Sequence, residues 1–403
     1  MTGKKIVWQV CVLASGVGSM LLGTATTHAA LTPARPGYAI KHQINGAGVG
    51  PIDLVSDSEL IAGSFTYDTS FNSMLAVKPV ALNSGPVGST IYTQSLLDPP
   101  ATSTHAGGVV STDGTYALSG QTGTPADGNG LFPGRICLTT LTGGATSTLD
   151  VPGNWDATSA NGSFYITAAA GTTSGLGDNG YSGVYQAQQT TGTLTEINLV
   201  LDTGAPSGTV VGDSAGNLAF SLGGVSALLG GGLNDLYRLT STQVANGVAA
   251  GTTTGLAGSA ADRLITGSAL ASAADPFFSS QIPAGGSIFT GISDIVFAGN
   301  GDLIVGMSGY IYDDGWQWVG TAGLAMLIDV TNNAGDYSAN VSNILYTNTT
   351  DGGGSLAYRS SDTTLWVSTD NNLYGVNVPE PGTLALLGLG MIGLVRSSRR
   401  GTN

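Results

Sequence analysis

One stretch of this chain has the spacing of a catalytic motif. Gly212-Asp213-Ser214-Ala215-Gly216 reads G-x-S-x-G, the pattern that sets a serine nucleophile on a sharp turn between a strand and a helix. That serine needs a base, and in such enzymes an acid and then a histidine follow it along the chain. No histidine follows Ser214. His105-Ala106-Gly107-Gly108 has the composition of an upstream oxyanion loop, but the flanks lack the strand–helix alternation that such a site stands on. Residues 214–217 serve equally well as a polar turn before the apolar run 218–220. No catalytic residue is assigned, and the chain is read as non-enzymatic.

Other chemistry-bearing groups are sparse. Outside the first 29 residues the only histidines are His42 and His105, too few for a zinc site of three or four ligands. Acidic residues between 30 and 378 are Asp, apart from Glu59 and Glu196. They gather with Asn and Gly at Asp127-Gly128-Asn129, Asp178-Asn179-Gly180, Asp313-Asp314-Gly315 and Asp370-Asn371-Asn372. Hard oxygen ligands on loops suit calcium, the one cofactor these clusters would take, but none has the spacing of a D-x-D-x-D-G loop. Asp and Asn are also ordinary turn residues. Trp316 and Trp318, with Tyr310 and Tyr312, flank one of these turns. They are expected to pack between structural repeats; exposed, they would form a platform for sugar rings. Cys137, between Ile136 and Leu138, is expected to be a buried thiol, with no second cysteine beyond Cys11 for a disulfide.

The elements that position these residues recur. A polar turn followed by an apolar strand begins at Glu59, Asp113, Asn161, Gly216, Asn300 and Asp362, at spacings of 54, 48, 55, 84 and 62 residues. A second strand signal follows each, at 75–80, 135–141, 183–188, 235–239, 325–330 and 372–378. Gly183-Val184-Tyr185, Asp235-Leu236-Tyr237 and Asn372-Leu373-Tyr374 read as copies of one strand. Four-stranded units at about 40–50 residues are the blades of a β-propeller. The expected fold is all-β: one propeller of six or seven blades over 30–378, closed by pairing 38–44 with the last blade. The long fourth interval holds an insertion or a seventh blade, with a short helix at 257–274. The 63 glycines act as turn punctuation, because a hydrophobic fraction of 41% argues against disorder. Net charge is −14 with 9% charged residues. No basic patch is available, which excludes nucleic acid as a partner.

Both ends carry topogenic segments. Lys4 and Lys5 precede an apolar run at 6–23, and Thr27-His28-Ala29 places small residues before a cleavage point between Ala29 and Ala30. Residues 1–29 are thus a signal peptide. At the other end stand Pro379-Glu380-Pro381, an apolar run at 382–395, and Arg396, Arg399 and Arg400. A fourteen-residue helix rises about 21 Å, short of a hydrocarbon core of about 30 Å. Residues 379–403 resemble the PEP-CTERM sorting signal of exported bacterial proteins. The resemblance implies a Gram-negative bacterium, and as a partner an exosortase, a membrane peptidase that acts on the tail. It implies transient inner-membrane tethering by a short transmembrane helix, then release to the cell surface or extracellular space.

The function expected is a cell-surface or matrix protein of a biofilm, acting as a binding or structural module associated with extracellular polysaccharide. The alternative is a propeller-type carbohydrate or lactone hydrolase or lyase, dependent on calcium.

Overall fold

The computed structural model describes residues 31–378 except 36–37, 47–49, 68–72, 83–86, 95–100, 126–133, 145, 152, 169–181, 205–206, 223–233, 252–253, 300, 334 and 370–371. The strands begin with β1 (Thr32–Pro33) and β2 (Ala39–Asn45). Blade 1 follows as β3 (Ile52–Ser56), β4 (Glu59–Tyr67), β5 (Ser73–Ala81) and β6 (Tyr92–Gln94). Blade 2 is β7 (Ala101–Thr112), β8 (Tyr116–Pro125), β9 (Gly134–Thr140) and β10 (Thr146–Asp150). Blade 3 is β11 (Asn154–Ala160), β12 (Ser163–Ala168), β13 (Gly183–Thr190) and β14 (Thr193–Asp202). Blade 4 starts with β15 (Ser207–Gly212), β16 (Leu218–Leu222) and β17 (Leu236–Leu239). After helix α1 (Ser241–Ala249) and β18 (Leu256–Ala257), it ends with β19 (Asp262–Ile265). Helix α2 (Gly267–Phe278) leads to blade 5, made of β20 (Ser287–Phe297), β21 (Leu303–Tyr312), β22 (Trp318–Asn333) and β23 (Asp336–Asn348). Blade 6 is β24 (Ser355–Arg359), β25 (Thr364–Thr369) and β26 (Asn372–Asn377), with β2 as its outer strand.

The molecule is a six-bladed propeller. Each blade is an antiparallel meander. The closing strand pairs as the sequence leads one to expect, with Ala39 opposite Asn377 and Ile44 opposite Leu373. Six buried clusters sit between consecutive blades and complete the ring. Leu60 and Trp366 join blade 1 to blade 6, and Ile61 with Val110 joins blade 1 to blade 2.

Strand alternation makes this arrangement work. In β12, Phe164 and Ile166 pack toward blade 2, whereas Tyr165 packs toward blade 4. Neighbouring side chains point to opposite faces of a strand, so a middle strand can be apolar throughout and serve two interfaces. The turns before the second strands use left-handed backbone, as at Asn161 and Gly162 with φ of 47° and 73°. Asn and Gly tolerate that region.

The long fourth interval contains helices rather than a seventh blade. Helix α1 starts at a capping box between Thr240 and Gln243. The expectation of one helix over 257–274 is corrected: Asp262–Ile265 is the outer strand of blade 4, and α2 begins only after Thr266 caps Ala269 N–H. A Thr N-cap outweighs the Ala-rich composition that suggested an earlier start. Cys137 is buried in β9. Among the described residues no helix is long and apolar enough to cross a membrane.

Candidate functional site

The inner strands β3, β7, β11, β15, β20 and β24 touch one another in sequence around a central channel. Three of them, on alternate blades, carry an aspartate: Asp53, Asp156 and Asp294. Each turns one carboxylate oxygen back to the next N–H of its own strand. Leu54 N donates to Asp53 Oδ1 at 2.8 Å, Ala157 N to Asp156 Oδ1 at 2.8 Å and Ile295 N to Asp294 Oδ1 at 2.7 Å. The other oxygen reaches the next blade. Asp53 Oδ2 accepts from Ser111 Oγ at 2.9 Å and Thr112 N at 2.8 Å. Asp156 Oδ2 accepts from Val210 N at 2.8 Å. Asp294 Oδ2 accepts from Ser355 Oγ at 2.8 Å and Leu356 N at 2.6 Å. Ser355 Oγ in turn accepts from Ile52 N at 3.1 Å, which links blade 6 to blade 1.

These bonds clasp blades 1 to 2, 3 to 4 and 5 to 6. The cost is electrostatic. Loss of solvent pushes Asp53 and Asp294 up to about 6, and the donated hydrogen bonds only partly oppose it. Asp156 is raised well above the carboxylate range by the same desolvation, and next by the charge of Asp294. All three retain some surface, because they face the channel, yet protein surrounds them closely. The enclosure fixes the upward direction, and the partial exposure of the three side chains limits its size. This trio lies in strands, away from the turns where Asp stands beside Asn and Gly. The available signal was an Asp placed four or five residues before the turn ending a first strand, in blades 1, 3 and 5.

A second feature lies on blade 5. The turn between β21 and β22 is built by Asp313, whose Oδ1 accepts from Gly315 N at 2.9 Å and Gln317 N at 2.8 Å. The turn at Asp213 has the same form, its Oδ1 accepting from Ala215 N and Asn217 N at 2.9 Å each. The left-handed position is Gly216 in one turn, with φ of 86°, and Trp316 in the other, with φ of 59°. The ring of Trp316 rests on Phe289 and Tyr312, with centroids 6.0 and 6.4 Å away. Even so, Trp316 is 67% exposed, beside Trp318 at 46% and Val319 at 53%. The expectation that these tryptophans pack between blades is thereby corrected: the turn lifts them off the blade.

The remaining sequence candidates divide simply. Ser214 lies in the Asp213 turn between β15 and β16, where the apolar strand was expected to follow. His42 is in β2, its ring stacked on Trp366 at 5.5 Å. His105, expected in a loop, belongs to strand β7 opposite Thr122. Asp313 and Asp314 form a turn, and among the described residues no group of three His, Cys, Asp or Glu is placed to hold a metal ion. Asp127-Gly128-Asn129, Asp178-Asn179-Gly180 and Asp370-Asn371 lie outside the described residues, as do Ala29, Ala30, Pro379, Glu380, Pro381, Arg396, Arg399 and Arg400.

Residues 377–400 match the PEP-CTERM protein-sorting motif. That motif implies an exported protein sorted to the cell surface or exterior and processed by an exosortase, a membrane protein. No curated protein matches the chain. Solved structures similar to it include an ulvan lyase, described as a new family of polysaccharide lyase. It is 8% identical and covers 83% of this chain and 95% of its own at a TM-score of 0.37. The GH43_1 enzyme from Xanthomonas citri is 13% identical over 77% and 94%, with a TM-score of 0.35. The β-propeller domain of the Trilobed protease from Pyrococcus furiosus is 8% identical over 82% and 94%, with a TM-score of 0.33.

Proposed function

We propose that this propeller, which carries a PEP-CTERM sorting motif, is a non-enzymatic binding or structural module of the cell surface or extracellular matrix. In this reading it associates with extracellular polysaccharide after transient tethering to the inner membrane. The observation that carries the reading is the use made of the channel carboxylates. Both oxygens of Asp53, Asp156 and Asp294 accept hydrogen bonds, one from the next N–H of its own strand and the other from the neighbouring inner strand, which it holds in place. These carboxyls, whose acidity burial weakens, are therefore engaged as clasps between blades. The acidic, low-charge composition suits a hydrated exterior.

Replacing Pro379-Glu380-Pro381 with alanines tests the reading. Loss of surface labelling and of matrix association is expected. Unchanged localisation would contradict it. One observation favours a second reading, a calcium-dependent carbohydrate or lactone hydrolase or lyase: carboxyls that titrate near 6 at a channel have the acidity of general acids. Turnover of a polysaccharide or lactone that is lost on chelation and in Asp294→Asn would select this alternative.

A further inference from the structure

We propose that Trp316 and Trp318 form a stacking platform for the sugar rings of an uncharged polysaccharide, on the propeller face opposite the end at which the chain leaves β26. The inference rests on the reading of the protein as a polysaccharide-associated module, and it names the site and the class of glycan.

Three observations carry it. The first is where exposed apolar surface lies. Among the described residues, Trp316, Trp318 and Val319 are the large hydrophobic side chains that stand in solvent, all on one hairpin tip. Such a ridge is far smaller than the roughly 20–30 residues per side of a stable protein interface. It suits the flat apolar face of a sugar ring, which an indole can cover.

The second is conformational. The Asp213 and Asp313 turns share one hydrogen-bonding pattern, with a Gly216 or Trp316 N–H donated back to the carbonyl of the opening Asp. Glycine fills the left-handed position of the first at no steric cost, whereas a tryptophan there is strained. Phe289 and Tyr312 hold its ring from below. A bulky aromatic kept where glycine is easier points to a role outside folding.

The third is charge and direction. On the face that carries the Trp316 turn, Asp313 and Asp314 stand beside the indoles, and blade 5 contains no Lys or Arg. Anionic glycans and anionic lipid surfaces are repelled by this face, while exposed Asp314 can accept from sugar hydroxyls. In each meander the turn between the second and third strands lies at the opposite end from the turn between the first and second. The Trp316 turn is of the former kind. The chain leaves β26 at the latter end, where Val378 N donates to Thr363 O at 2.8 Å. While the chain is tethered through that end, before processing, the tryptophans face away from the membrane.

The test uses the protein as isolated from source cells, with its Trp316→Gly and Trp318→Ala variants. Affinity electrophoresis is run in gels containing hydroxyethyl cellulose, pullulan or alginate, alongside flotation with phosphatidylglycerol vesicles. The wild type should be retarded by a neutral glycan, and each variant should bind about tenfold more weakly, the scale of one lost stacking contact. Trp316→Gly should melt at or above the wild-type temperature, which separates loss of binding from loss of fold. Retardation by neither neutral glycan, binding to alginate or vesicles alone, or variants that bind like wild type would overturn the proposal. If Trp316→Gly remains surface-displayed and matrix-associated, the platform fails while the functional reading stands. A wild type that binds neutral glycan but is absent from the matrix has the reverse meaning.

Discussion

Raising the pH from 5 to 8 is expected to weaken this propeller through its channel carboxylates. In the folded chain burial pushes Asp53 and Asp294 up to about 6, against 3.8 for the free group. The folded state therefore holds these protons more tightly than the unfolded state. The stability this contributes is fully present below the unfolded value and is lost as pH rises through about 6. For such a shift the linkage relation gives roughly 1.4 kcal/mol per group between pH 5 and pH 8, an upper figure of about 3 kcal/mol for the pair. Their partial exposure screens part of it, so a combined loss of about 1–3 kcal/mol is expected. Asp156 acts in the same direction. Urea unfolding at constant ionic strength and at pH 5, 6, 7 and 8 measures the slope. General repulsion in an acidic chain also grows with pH, so Asp53→Asn isolates the channel. Its amide cannot accept from Ser111 and Thr112 through nitrogen, so the variant is less stable throughout. Its pH slope should be shallower by about one group's share. Wild-type stability that is flat or rising from pH 5 to 8, or an Asp53→Asn slope equal to wild type, would refute the reasoning.

Two further substitutions probe the ring. Ser355→Ala removes the hydroxyl donated to Asp294 and leaves Ile52 N–H without its acceptor; a cost of about 1–3 kcal/mol is expected. The cost in urea unfolding should be larger at pH 8 than at pH 5, because donation to an ionised carboxylate is the stronger bond. Gly323→Ala would bring a Cβ to 2.1 Å from the backbone of Gly352 and Gly353. Backbone on that side cannot yield cheaply, so a loss of about 1–3 kcal/mol or more is expected by thermal melting; a melting temperature equal to wild type would mean that the connection moves freely.

The blade pattern was legible because its signals are local. Second strands such as 163–168 are apolar on both faces, since alternate side chains enter different blade interfaces, and three of the six turns before them carry an Asp-Gly or Asn-Gly pair, at 113–114, 161–162 and 300–301. The closing strand was legible from position, near the start of the folded region and in need of an edge. The outer strand Asp262–Ile265 was not: four residues with two charges carry no alternation, and the neighbouring alanines suggested helix. The exposure of Trp316 was not legible either, because it follows from the left-handed position in an Asp-built turn, and an indole there violates the local preference. The clasping aspartates were hidden for a related reason. A carboxylate in an inner strand takes its meaning from N–H groups 54–62 residues away, a relation that local spacing does not display.

The central claim is export followed by processing at the tail, and the intact mass of the protein taken from its source cells, with peptide coverage of both ends, tests it most directly. The account expects a chain that begins near Ala30 and ends near Pro379. A chain still carrying residues 1–29, or one that ends at Asn403, would contradict it.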